Sequence, residues 1–80
     1  MKLPRDISGA ELAKRLEKLE YKMSRQTGSH VRLSTELKGE HHITIPQHRS
    51  LSVGTLNAIL REIADHLEVD KVDLIRTLFE

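Results

Sequence analysis

Two short stretches, residues 30–35 and 41–45, alternate polar and apolar side chains with a period of two. Val31, Leu33, Ile43 and Ile45 fall on one face, while His30, Arg32, Ser34, His42 and Thr44 fall on the other. Strict alternation marks half-buried strands. Only residues 36–40, with Gly39 among them, separate the two runs, so the chain must turn back on itself as a hairpin. Pro46 ends the second strand because it has no N–H to give to a ladder. A lone hairpin is not stable in water, so the remaining segments must cover its apolar face.

Those segments have the pattern to do so. Ser8-Gly9-Ala10-Glu11 is a capping box, and Leu12, Leu16 and Leu19 then recur at helical spacing. The first helix is expected over residues 9–19, with residues 1–7 as a short ordered lead-in. Residues 21–26 carry a weak strand pattern, with Tyr21 and Met23 on one face, and Thr27-Gly28-Ser29 is a turn. After a polar connection over 47–51, Ser52 is placed to cap a helix over 53–67 whose stripe is Leu56, Ile59, Leu60, Ile63 and Leu67. Asp70 is placed to cap a last short helix with Val72, Ile75, Leu78 and Phe79 on its apolar side. The order is helix, three strands, helix, short helix. This predicts an α+β fold, a three-stranded antiparallel meander with two helices on one face and the other face wet.

Length and composition narrow the rest. The chain has 80 residues, enough for one domain spanning 1–80. Tyr21 and Phe79 are its only large aromatics and it has no cysteine, so the core is aliphatic and neither a disulfide nor a thiolate metal site is available. There is no apolar leader and no run of membrane-spanning length, so a soluble cytoplasmic protein is expected, with no membrane partner. Charge is uneven. Between residues 22 and 61, Lys22, Arg25, Arg32, Lys38, Arg49 and Arg61 face only Glu36 and Glu40, and four of the five histidines lie there. From Glu62 onward, six acids face Lys71 and Arg76. A basic middle suits a polyanion such as nucleic acid, although an ordinary mixed surface has the same composition.

His30 is the leading chemical candidate. It follows a Gly-Ser turn, opens a strand and points away from Val31 and Leu33, with Arg25, Arg32 and Lys22 close in sequence. A histidine titrates near neutral pH, and RNA cleavage needs a base for the 2′-OH and cations for the developing charge. Spacing alone also permits a plain surface histidine. His41, His42 and His48 invite a metal reading, but successive strand residues face opposite sides, so His41 and His42 cannot share an ion; no metal or other cofactor is expected. His48 and Arg49 are placed at the mouth of the second long helix, and His66 is expected as a solvated cation near its C-terminus. Arg49, Gly54 and Thr55 surround the start of that helix, where backbone N–H groups favour a phosphate; the alternative is a plain helix start in which Gly54 allows close packing.

Pro4-Arg5, Ser8-Gly9 and Arg25-Gln26-Thr27-Gly28-Ser29-His30, followed by Pro46-Gln47-His48, Leu51, Gly54-Thr55-Leu56 and Ile59-Leu60-Arg61, together resemble the HicA-type, or YcfA-like, toxin family over residues 3–61. The resemblance implies a fold like that of a double-stranded-RNA-binding domain, α-β-β-β-α. It also implies a metal-independent mRNA interferase, with the histidine of Gly-Ser-His, here His30, as catalyst. The implied partners are mRNA and a HicB-type antitoxin that covers the active site, with a homodimer or a hetero-oligomer with the antitoxin left open. The RNA contacts expected are Lys22, Arg25, Ser29, Arg32, Arg49, Gly54 and Thr55. A non-catalytic RNA-binding or protein-interaction module on the same fold is the alternative. Two features depart from the family: Glu20 stands where a glycine usually ends the first helix, and Glu62-Ile63-Ala64 continues the second helix into an acidic tail.

Overall fold

The computed structural model describes residues 3–80; of the expected lead-in, Met1 and Lys2 lie outside the described residues. The elements are α1 (Gly9–Arg15) with a 3-10 turn (Leu16–Leu19), β1 (Lys22–Thr27), β2 (His30–Thr35), β3 (His41–Pro46), α2 (Val53–Leu67) and α3 (Lys71–Phe79). The strands form one antiparallel sheet in the order β1-β2-β3. The helices cover one face, as the apolar stripes require. Val31, Leu33, Ile43 and Ile45 meet Leu12, Leu16, Leu56, Ile59 and Leu60 in the core, and α3 adds Leu74, Ile75 and Leu78. Among the described residues no helix is long and apolar enough to cross a membrane.

Local chemistry sets the boundaries. Ser8 Oγ accepts from the Glu11 amide at 3.0 Å, and Ser52 Oγ accepts from the Thr55 amide at 3.1 Å, so both long stripes start at a side-chain cap. Asp70 has the extended backbone of a cap, but its side chain makes no capping bond. The first helix is shorter than its stripe suggests because its last turn tightens to 3-10 geometry. Glu20 then takes the left-handed conformation, φ 63°, that glycine usually supplies at a helix end. Thr35, though buried, is satisfied: its hydroxyl donates to the Leu19 carbonyl and accepts from the Leu37 amide. β3 ends at Pro46, its last residue, which an edge strand tolerates.

β1 differs most from expectation. Tyr21 is fully buried but lies just before the strand, and every residue of β1 is exposed, including Met23 at 62%. A bulge at Ser24 resets the alternation, so Met23 faces Leu33 and Gln26 faces Val31 on the helix side, while Arg25 faces Arg32 on the outer side. α1 and the 3-10 turn stand beside this edge without burying it: Ala10, Ala13, Lys14 and Glu17 share an open groove with Met23 and Gln26. The start of α1 is pinned instead to the end of β3, where Gly9 donates to the His48 carbonyl at 3.0 Å.

The C-terminal helix is held at its far end by the first. Arg15 donates from Nη1 to the Leu78 carbonyl at 3.0 Å and lies 5.3 Å from the centre of the Phe79 ring; Lys18 donates to the Thr77 carbonyl at 3.2 Å. These cations occupy carbonyls that the last turn of a helix leaves without partners.

Candidate nucleic-acid interface

The outer face of the sheet carries the sequence's leading candidate. Gly28 and Ser29 form the tip between β1 and β2, with Thr27 opposite His30. Gly28 has φ +57°, a conformation that glycine adopts without strain. The Ser29 carbonyl accepts from the Gln47 amide at 2.6 Å, which ties the tip to the segment leaving β3. His30 is therefore exposed but fixed at its base, opposite Pro46 on one side and Thr27 on the other.

Around it lies a shallow depression of about 220 Å³ lined by Arg25, Thr27, His30, Arg32 and Thr44. Arg25 and Arg32 stand directly opposite each other across β1 and β2, both exposed. Directly opposed side chains on adjacent strands have Cβ atoms only about 5 Å apart, and like charges so placed repel. Among the described residues neither arginine has a carboxylate within ion-pair distance. Two arginines so placed, without an acid in ion-pair distance, make this end of the outer face positively charged.

The other sequence candidates divide. Ser29 sits at the tip beside His30. Lys22 lies at the far end of the same sheet face, near Glu20, Glu36 and Glu40. Arg49, Gly54 and Thr55 belong to the start of α2, and none of them lines the depression around His30. The Thr55 amide is already committed to Ser52, so it is not a free phosphate donor. A Cβ on Gly54 would meet nothing within 4 Å, so close packing is not what this glycine serves.

The histidines sort by face as alternation requires. His42 points outward, with Nε2 2.8 Å from Glu40 Oε2 and Nδ1 on the Ser34 hydroxyl. His41 turns inward, with Nδ1 2.7 Å from the Tyr21 hydroxyl and Nε2 3.2 Å from Glu62 Oε2. Burial, and then the neighbouring His66, hold His41 below the usual histidine range. His66 corrects the expectation of a solvated cation. It is half-buried, stacks on His41, and reaches the Leu37 and Gly39 carbonyls from Nε2 at 2.9 and 3.1 Å. Carbonyls only accept, so Nε2 carries the proton and the ring acts as a clasp for the β2–β3 loop. Pairing of His66 with His41 was not readable from spacing, because they lie on different elements 25 positions apart.

The sequence profile of a family described as HicA toxin of bacterial toxin-antitoxin matches residues 9–64, most of the chain. The chain belongs to the HicA toxin family. Neither a curated protein nor a solved structure matches it. The HicA match runs from the start of α1 to near the end of α2, so it includes every residue lining the depression around His30 and leaves α3 outside. As a HicA toxin, the chain is the toxic member of a bacterial toxin–antitoxin system.

Proposed function

We propose that this toxin acts by cutting RNA, with His30 moving the proton and Arg25 and Arg32 holding the phosphate. The observation that carries this reading is the opposed, acid-free arginine pair in one depression with an exposed imidazole. A phosphodiester placed on the two guanidinium groups receives bidentate, charge-assisted hydrogen bonds. His30 at the rim takes the proton of the 2′-OH, the 2′-oxygen attacks phosphorus, and the bond from phosphorus to the 5′-oxygen breaks. The products are a 2′,3′-cyclic phosphate and a 5′-hydroxyl, the departing oxygen receiving the proton that the imidazolium returns. The arginines match the charge that builds on the phosphoryl oxygens. Arg49, just ahead of α2, adds a further cation for the RNA outside the cut site. A HicB-type antitoxin is the expected partner, and it silences the toxin by covering the outer face at His30.

The deciding experiment compares wild type with His30→Ala for RNA cleavage, RNA affinity and thermal melting. Cleavage should fall at least ~100-fold, while the melt and the RNA affinity stay close to wild type because the side chain is exposed and the arginines remain. A folded variant that cuts at the wild-type rate removes His30 from the mechanism. One that loses affinity as well makes His30 a recognition residue.

A further inference from the structure

The outer face of the sheet has a second depression, at the end away from His30, whose chemistry is the reverse of the first. It has a volume of about 410 Å³ and is lined by Glu20, Lys22, Ser34, Glu36, Glu40 and His42. Three carboxylates surround one ammonium group, so a phosphate is repelled there while a hydrogen-bond donor is attracted. Ser34 and His30 both point outward on β2, four positions apart, which puts the two depressions about 13 Å from each other along the strand.

A hydrogen-bonded line crosses all three strands at this end. Glu40 holds His42 at Nε2, Ser34 holds it at Nδ1, Ser34 meets Ser24 at 2.9 Å, and Ser24 donates to the Arg32 carbonyl at 3.2 Å. Both ring nitrogens of His42 are thus engaged, yet its side chain is still 36% exposed. An imidazole fixed at both nitrogens is a stacking platform that loses little further freedom when a planar ligand lies on it.

We propose that this second depression is a nucleobase subsite for the RNA strand cut at His30. A base that presents an amino group (cytosine, adenine or guanine) stacks on His42, and its amino hydrogens donate to the Glu40 carboxylate and its neighbours, the same pairing by which a glutamate reads the N4 amino group of cytosine. Uracil presents a carbonyl there and meets carboxylates. One sheet face then combines a cationic end for the scissile phosphate with an anionic end for a base along the same strand. This inference rests on the RNA-cutting reading of His30, but it is tested separately.

Nucleosides without phosphate isolate the subsite. Cytidine should shift the His42 ring resonances of the full chain in a saturable way, leave those of His30 in place, and lose its effect in His42→Ala. Uridine should shift His42 weakly or not at all. Short RNAs that differ by cytosine or uracil at one position near the cut should then differ roughly tenfold in kcat/KM, and Glu40→Gln should bring the ratio close to one. Equal responses to cytidine and uridine, or none, overturn the proposal whether or not RNA is cut. So does a Glu40→Gln variant that keeps its base preference but binds a basic antitoxin segment less tightly, since that outcome assigns the carboxylates to a protein partner. If cytidine binds His42 while His30→Ala cuts normally, the catalytic reading fails and the subsite stands.

Discussion

The imidazole rings of His41 and His66 stack with centroids 4.3 Å apart and planes within 11° of parallel, joining β3 to the last turn of α2. Burial and then the neighbouring His66 disfavour charge on His41, whose Nδ1 meets the Tyr21 hydroxyl; against them Glu62, exposed at 58%, pulls the other way. Two charged rings at this separation repel. Because His41 is held below its ordinary range, the unfolded chain binds more protons than the folded one as pH falls through about 6.5. The stabilisation is complete above that point and is lost below it, down to the lowered value of His41. Thermal melts between about pH 5 and pH 7.5 should therefore rise with pH, and His41→Gln should flatten the slope. A wild-type profile that is flat or falls through this range counts against a lowered His41.

Tyr21 gives the alkaline counterpart. Burial, and then the Glu62 carboxylate, push its phenol from 10.0 to about 12. A raised value means the unfolded chain ionises first, so stability is intact below pH 10 and is lost as pH climbs toward 12. Tyr21 is the only tyrosine, so absorbance reports its titration without interference. A midpoint near 10 in the folded protein would show that the phenol is not enclosed. Tyr21→Phe removes the donor from His41 Nδ1 and should lower the melting temperature by several degrees, on the scale of ~1–3 kcal/mol for an unsatisfied buried group.

Gly9 and Gly54 predict opposite responses to the same substitution. A Cβ on Gly9 would lie 2.1 Å from the Pro46 carbonyl oxygen, which is backbone and cannot swing away. Gly9→Ala must separate α1 from the end of β3, breaking the Gly9–His48 hydrogen bond, and should cost more than ~2 kcal/mol. Gly54, in the first turn of α2 with open space around it, should gain roughly 0.5–1 kcal/mol as alanine. Urea midpoints of the two variants check both signs. If Gly9→Ala is tolerated, helix and strand do not approach as closely as described.

The fold was legible because each element carries a period and a boundary. The alternation around Val31, Leu33, Ile43 and Ile45 fixes which face of the sheet is buried, and Ser8 and Ser52 announce their helices. The first strand was less legible. Its bulge at Ser24 breaks the period, and its exposure depends on where α1 is anchored, which is a tertiary fact. His30 with Arg25 and Arg32 was readable from nearness in sequence, because a hairpin tip brings its flanks together. Lys22 is equally near in sequence but lies at the far end of the face, since position along a strand translates into distance. The rows of contacts linking His41 to His66, and Ser24 to Ser34 and His42, cross between elements, and no local pattern encodes them.

The last prediction uses the arginine pair, where stability and binding should move in opposite directions. Arg25 and Arg32 face each other on adjacent strands with no acid between them, so each destabilises the free protein through the other. Removing one charge should relieve the folded state. Arg25→Gln is therefore expected to melt roughly 1–4 °C above wild type and to bind RNA more weakly, with a salt slope shallower by about one released counterion. Arg32→Gln should do the same, and the double variant should gain little further stability over either single one, because the repulsion is gone once one partner is neutral. Lys22→Gln is the control: it sits among carboxylates, so its loss should lower stability slightly and leave the salt slope almost unchanged. Melting curves and RNA titrations at two salt concentrations test the whole set. If the single arginine variants are less stable than wild type, or bind RNA as tightly, the pair is not a phosphate site kept at the expense of the fold.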